Sequence, residues 1–330
     1  MRIAKCSLFL VAILSVGIIS STFAQGQNEA TFPTRDVQVV VNAGAGGGTD
    51  TINRKIISII QKNHKDVTLY VTNNPASGEA AGPYDVMRSK ADGYTIGSLT
   101  YGSVVGSVYL KLIPQYDLSK LNLFCTLTQE SDALMVKYDS KYNTFDDYIA
   151  AAKANPGKVK IGITTIGARA SLLATKIEKT YGITFNQVQY EGAASQREAL
   201  LNGEVDGVIT SLGDFSSVIL NKQVKGLVEF STIQNKAFPD VPPIKSLGHE
   251  ELASGSFIIM AVPTGTPSDV VDKLSDLYKE AQQSQEFQDW AISIGVTPSW
   301  MDGTETTAFA QDTQEKAFVT LDQMKTAGLL

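Results

Sequence analysis

Val37, Val39, Val40 and Val41 form a short β-branched run suited to a buried strand, and Ile52, Ile56, Ile59 and Ile60 then recur at helical spacing toward Lys62. The same alternation continues along the chain. Strands are predicted over 68–71, 94–99, 158–163, 187–190 and 207–210. Helices are predicted over 84–90, 144–154, 171–181, 195–202, 267–283 and 304–327, with Asn155-Pro156-Gly157, Gly182 and Gly203 as stops. Phe287 and Trp290 share a helical face that reads as core. Such βα alternation predicts an α/β fold with a mainly parallel sheet covered on both faces.

Between the first strand and first helix lies Ala43-Gly44-Ala45-Gly46-Gly47-Gly48-Thr49-Asp50. Glycines free the backbone for positive φ and remove side chains that would block a ligand. Exposed amides at a helix start form a site for a carboxylate or phosphate. Two readings stay open: an anion cradle, or a tight connection capped by Thr49 or Asp50. Asp50 is open in the same way, as a cap or as a contact to a ligand donor. Nucleotide motifs fail on residues, because Thr49 stands where a dinucleotide fingerprint needs Gly or Ala and no Lys follows Gly48.

Upstream, Arg2 and Lys5, an apolar core from Ser7 to Ile19, and Thr22-Phe23-Ala24 predict an export signal over 1–24, cleaved after Ala24. The core is shorter than the roughly 18 apolar residues of a membrane span. A periplasmic location follows. Cleavage removes two cations and no acid, moving the net charge from −6 to about −8. That balance disfavours nucleic acid and anionic membranes as partners. Cys125, alone after processing, sits in an apolar run and reads as a small buried hydrophobe. His64 and His249 adjoin no nucleophile motif, no zinc motif occurs, and Asp146-Asp147 suits a helix start. No enzyme activity, metal or cofactor is expected.

Further short motifs stand in order: Asn73-Asn74-Pro75-Ala76-Ser77-Gly78, Asp92-Gly93-Tyr94-Thr95-Ile96, Lys153-Ala154-Asn155-Pro156-Gly157-Lys158, Tyr190-Glu191-Gly192-Ala193, Gly203-Glu204-Val205-Asp206, Phe238-Pro239-Asp240-Val241-Pro242 and Pro263-Thr264-Gly265-Thr266-Pro267. With the glycine turn, this set resembles the extracytoplasmic solute-binding proteins of tripartite tricarboxylate transporters, the Bug family. The resemblance spans Phe32 to about Gly328. It implies a two-lobed periplasmic binding protein of type II-like α/β architecture, each lobe a mainly parallel sheet flanked by helices, with the ligand in the cleft between. Lobe 1 would comprise 25–127 plus 254–330, and lobe 2 would comprise 128–253. A monomer would capture a small organic acid by hinge closure and deliver it to membrane permease subunits. The acid would be a di- or tricarboxylate, an aromatic acid or an acidic amino acid. A sensing module presenting the bound acid to a membrane receptor is the alternative, and an exported hydrolase ranks below both.

By position, the resemblance implies ligand contacts from Ala43, Gly44, Gly46, Gly47, Gly48, Thr49 and Asp50. Thr164, Thr165, Gly167, Arg169 and Ser171 would contribute from a second loop, and Tyr190, Gly192 and Ala193 from the cleft edge. Asp206 to Ser211 would form the cleft floor, and Thr100 and Tyr101 follow a first-lobe strand end. Relatives usually carry a proline and an aromatic residue where this chain has Asn42 and Ala43, a histidine at Ser171 and a lysine at Glu191. Arg169 is then either a bidentate contact to the ligand's far acidic group or a solvent-facing helix-start residue. A surface glutamate is the simpler reading of Glu191, against a contact to a ligand amine or hydroxyls.

Overall fold

A computed structural model describes residues 32–163, 168–190 and 192–328. The expected export signal, Thr164, Thr165, Gly167 and Glu191 lie outside the described residues. β1 (Val37–Val41) leads into α1 (Gly48–Asn63), β2 (Leu69–Asn73), α2 (Ala81–Met87) and β3 (Thr95–Leu99). A π-helical turn at Gly102–Gly106 and the short α3 (Ser107–Tyr109) precede the long β4 (Leu121–Lys137). Next come α4 (Phe145–Ala154), β5 (Lys160–Ile163), α5 (Arg169–Tyr181), β6 (Asn186–Gln189), α6 (Ala193–Asn202), β7 (Gly207–Ser211), α7 (Ser216–Leu220) and β8 (Val224–Glu229). The chain closes with β9 (Gly255–Pro263), α8 (Ser268–Gln283), α9 (Gln285–Ser293), β10 (Pro298–Asp302) and α10 (Gly303–Thr326).

Local chemistry accounts for the boundaries. Thr144 caps α4 through a reciprocal pair: the Asp147 amide donates to Thr144 Oγ1 at 3.1 Å and the Thr144 amide to Asp147 Oδ2 at 3.0 Å. Gly182 and Gly203 end α5 and α6 in left-handed conformation, as their sequence positions predict.

The strands join in the order β2-β1-β3-β9-β4-β7-β5-β6, with β8 and β10 also on β4. Pairing is parallel within β2-β1-β3 and within β7-β5-β6, and antiparallel around β4 and β9. β4 changes partners midway. Through Ser131 it pairs with β9, and from Asp132 it pairs with β7 and β8. Past the change its side chains alternate. Leu134 and Val136 join the core under α4 and α5, while Ala133 and Met135 join the one under α6. Val39 and Val41 pack with α1 and α8, and Val40, Leu99 and Ile259 pack on the opposite face, where α10 lies. Cys125 is buried in the α1 side core, and Phe287 is buried there with Trp290 against it.

Register sets what meets at the crossing. Leu99, the last residue of β3, pairs with Ile259, which pairs in turn with Thr126 of β4. Ser211, the last residue of β7, pairs with Asp132. The carboxyl ends of β3 and β7 therefore approach one stretch of β4, six residues or about 20 Å long at strand rise. At the crossing Gly255 pairs with Ser131, and a Cβ on it would run into the carbonyl oxygen of Glu130.

Candidate functional site

Open α/β sheets bind ligands beyond the carboxyl ends of their parallel strands. In this chain those ends carry the glycine turn after β1, Thr100 and Tyr101 after β3, Arg169 after β5, Gly192 and Ala193 after β6, and Ser211 at the end of β7.

Gly44 to Gly48 are exposed, and Gly47 is the N-cap of α1. Neither Thr49 nor Asp50 caps the helix, contrary to the structural reading of the sequence. Asp50 is its third residue and reaches back instead. Its Oδ2 accepts from the Gly46 amide at 2.8 Å and from Arg54 Nε at 2.9 Å, and Asn73 Nδ2 donates to its Oδ1 at 2.8 Å. Burial raises the Asp50 carboxyl, but Arg54, Asn73 and the Gly46 amide reverse that and hold it below its ordinary 3.8. The Gly47 amide bonds to the Gly44 carbonyl. The amides of Gly48, Thr49 and Asp50 are left without an acceptor among the described residues, at the positive end of the α1 dipole. Ala43 packs against the core, and its carbonyl accepts from Asn73.

Beneath this turn Asn42 is fully buried. Its Nδ2 donates to Thr100 Oγ1 at 3.0 Å and its Oδ1 accepts from Ser98 at 3.0 Å. Thr100 also donates to the Glu79 carboxylate. The Thr100 hydroxyl thus lies inside a polar network that ties β1 to β3.

Arg169 neither points freely into solvent nor keeps its fork free. Nε lies 3.0 and 2.9 Å from the two carboxylate oxygens of Asp132, and Nη2 lies 2.9 Å from Oδ1. Asp132 is 0% exposed, and Ser254 Oγ donates to it at 2.7 Å. Tyr101, half-buried, packs toward Phe257 and lies within the fields of Arg169 and Asp132. Glu130, two residues before Asp132, has no hydrogen-bond or ion-pair partner among the described residues. Burial first, then Asp214 and Asp132 against the opposing Arg169, push its carboxyl up to about 7. Tyr101, Glu130 and Arg169 line a cavity of about 800 Å³, which extends between α5 and α10. The glycine turn, Tyr190, Gly192, Ala193 and Ser211 do not line it.

The remaining predicted residues divide by position. Ser171 is fully buried on α5, its hydroxyl directed at Gln187 of β6, so it offers no donor at the helix start. Tyr190 is half-buried beside Gly162. The amides of Ala193, Ala194 and Ser195 start α6 without acceptors among the described residues, while Ser195 Oγ donates to the Gly192 carbonyl at 3.0 Å. Ser211 is buried, and the Asp214 amide donates to its hydroxyl. Asp206 belongs to the opposite end of β7, where its carboxylate accepts from the Lys160 amide at 2.8 Å. The cleft-floor expectation therefore fails for Asp206. Sequence reasoning passed over Glu130 and Asp132; two carboxylates in an otherwise strand-forming stretch were the available signal. His64 pairs with Glu280 and His249 with Glu251, both at the surface. Among the described residues no group of three potential metal ligands occurs, and no helix is long and apolar enough to cross a membrane.

A mixed sheet flanked by helices, whose parallel strands end on a strand crossing, is the fold of the periplasmic solute-binding proteins. A TctC solute-binding protein from Polaromonas, solved with no ligand, matches it with a TM-score of 0.79 at 24% identity, covering 89% of this chain and 100% of that one. An R. palustris protein solved with adipate matches with a TM-score of 0.75 at 21% identity, covering 90% and 98%. The family model for the tripartite tricarboxylate transporter family receptor matches residues 53–325, and the chain belongs to that family. BugT of Bordetella pertussis is 26% identical over 306 residues, 92% of this chain and 93% of its own length.

Proposed function

We propose that the protein captures a small carboxylate-bearing solute in the periplasm, after removal of residues 1–24, and delivers it to the membrane permease of a tripartite transporter. The observation that carries this reading is the change of partners in β4 at Ser131–Asp132, which brings the carboxyl ends of β3 and β7 toward one crossing. The lobe boundaries expected at 127/128 and 253/254 are proposed to lie instead at the partner change, giving residues 25–131 with 255–330, and residues 132–254. The carboxylate lies on the amides of Gly48, Thr49 and Asp50, which have no acceptor among the described residues, the α6 amides contribute on closure, and closure follows from tighter contact in the closed state. Adipate in a solved relative of the same fold supports a carboxylate ligand. Thermal-shift screening of the mature chain against mono-, di- and tricarboxylates, aromatic acids and amino acids tests the reading, since a ligand that binds only the folded state raises Tm. A panel-wide absence of shift, with turnover of an ester or peptide, would overturn it.

A further inference from the structure

The charges at the strand crossing are out of balance. Among the described residues Arg169 is the one cation acting on Glu130, and its Nε and Nη2 are already committed to Asp132, whose second oxygen is further held by Ser254. A fully buried carboxylate with three such contacts leaves little of the guanidinium field for a second anion. Glu130 stands two residues along β4, on the same strand face by the period of two. It lines the cavity, it has no partner among the described residues, and its other charged neighbours there are Asp132 and Asp214, both acidic. Asp214 itself accepts from Thr210 Oγ1 at 3.0 Å. The remaining lysines on the cavity wall are Lys176 and Lys316. Lys176 follows Arg169 by seven residues, about 10 Å along α5, and Lys316 is paired with Asp312 at 2.7 Å. Neither is among the charges acting on Glu130.

A second carboxylate at this point would meet acids and a cation already satisfied. An ammonium would meet an unpaired carboxylate beside an aromatic ring.

We propose that the cavity at the strand crossing belongs to the solute site and that Glu130 is a specificity-determining residue there that reads an ammonium group, so that the solute is an amino-carboxylate, with one acid and one amine, rather than a di- or tricarboxylate. The inference rests on the solute-binding reading above and narrows its ligand class. Tyr101, at the end of β3, lines the same cavity, and an aromatic ring near a bound ammonium adds attraction for it. The half-buried carboxyl gives the site a pH dependence. Glu130 ionises near neutrality, so ammonium capture strengthens as pH rises from 6 to 8.

Matched pairs of solutes separate the alternatives: glutarate against 5-aminopentanoate, adipate against 6-aminohexanoate, and succinate against β-alanine, together with the common α-amino acids. Calorimetry and thermal shift on the mature wild-type chain are expected to show binding by at least one amino-carboxylate and at least tenfold weaker binding by its diacid partner. Glu130→Gln keeps the size of the side chain and is expected to lose at least tenfold in affinity for that amino-carboxylate and to lose its pH dependence. The unliganded melting temperature reports whether the variant is folded, and Glu130→Asp, which restores the charge, is expected to recover part of the affinity. Diacid binding equal to or tighter than its amino partner overturns the ammonium assignment while leaving the solute-binding reading standing. Unchanged affinity in folded Glu130→Gln overturns it as well. Absence of binding by every solute in the panel overturns the ammonium assignment, and overturns the solute-binding reading with it when the wider acid panel also gives no shift and an ester or peptide is turned over.

Discussion

The guanidinium of Arg169, at the first position of α5, closes on the fully buried carboxylate of Asp132 at the residue where β4 passes from β9 to β7. The pair sits on the crossing, and Asp132 also anchors backbone there: its amide donates to the Ser254 carbonyl at 2.8 Å, and its carbonyl accepts from the Phe230 amide at 2.7 Å.

Removing one partner of such a pair leaves a buried charge alone. Arg169→Ala is expected to cost about 3–5 kcal/mol in urea unfolding, and the Arg169→Ala/Asp132→Ala double variant is expected to cost less than the sum of the singles. Strictly additive losses would show that the two side chains are not coupled.

Glu130 is expected to make stability fall as pH rises. Its folded value of about 7 lies above the ordinary 4.5, so between those values the native state holds a proton that the unfolded chain has released. The stabilisation is full below pH 4.5 and is lost as pH rises through 7. Glu130→Gln lacks this dependence, so the melting temperature of wild type relative to the variant is expected to drop by a few degrees between pH 5 and pH 8. Parallel pH profiles would place the carboxyl in water.

Asp50 organises the glycine turn from inside the helix, and its loss frees the Gly46 amide, Arg54 and Asn73 together. Asp50→Ala is expected to destabilise by about 1–3 kcal/mol and to weaken carboxylate binding. Retained affinity alongside lowered stability would separate the turn's shape from ligand capture.

Two glycines of that turn are expected to respond oppositely. Gly46 has φ of +80°, so Gly46→Ala carries a backbone penalty of about 1 kcal/mol although no atom blocks its Cβ. Gly48 has open space and an ordinary φ, so Gly48→Ala leaves Tm nearly unchanged, while its methyl group crowds an anion resting on the helix amides. Unaltered carboxylate affinity in Gly48→Ala would move the anion off this turn.

Much of the fold was legible because period and punctuation agree locally. β1 matches its predicted limits, and Gly182 and Gly203 stop α5 and α6 where expected. β4 was visible only in part. Thr126, Thr128, Gln129, Glu130, Ser131 and Asp132 interrupt its apolar pattern, and register shifts between Leu123 and Cys125 and between Thr126 and Thr128 break the alternation. The candidate site was less legible. Arg169 stood out in its loop, but its partner lies 37 residues away on a strand the pattern concealed. Asp206 and Ser211 looked equivalent in sequence, yet only the direction of β7 puts one at the strand's start and the other at its carboxyl end.

Covalently, residues 132–254 join the rest of the chain at Ser131–Asp132 and Ser254–Gly255, the two threads that pass through the crossing, while Lys179 of α5 also bonds to Gln323 of α10. A two-stranded ribbon twists more readily than it stretches or shears. The proposed closure would therefore act as torsion about β4 and β9, with the loops after β3 and β7 as opposing lever arms. Gly255 lets the two backbones lie close enough to serve as one axle, so a side chain there would alter the turning geometry before it touched any ligand.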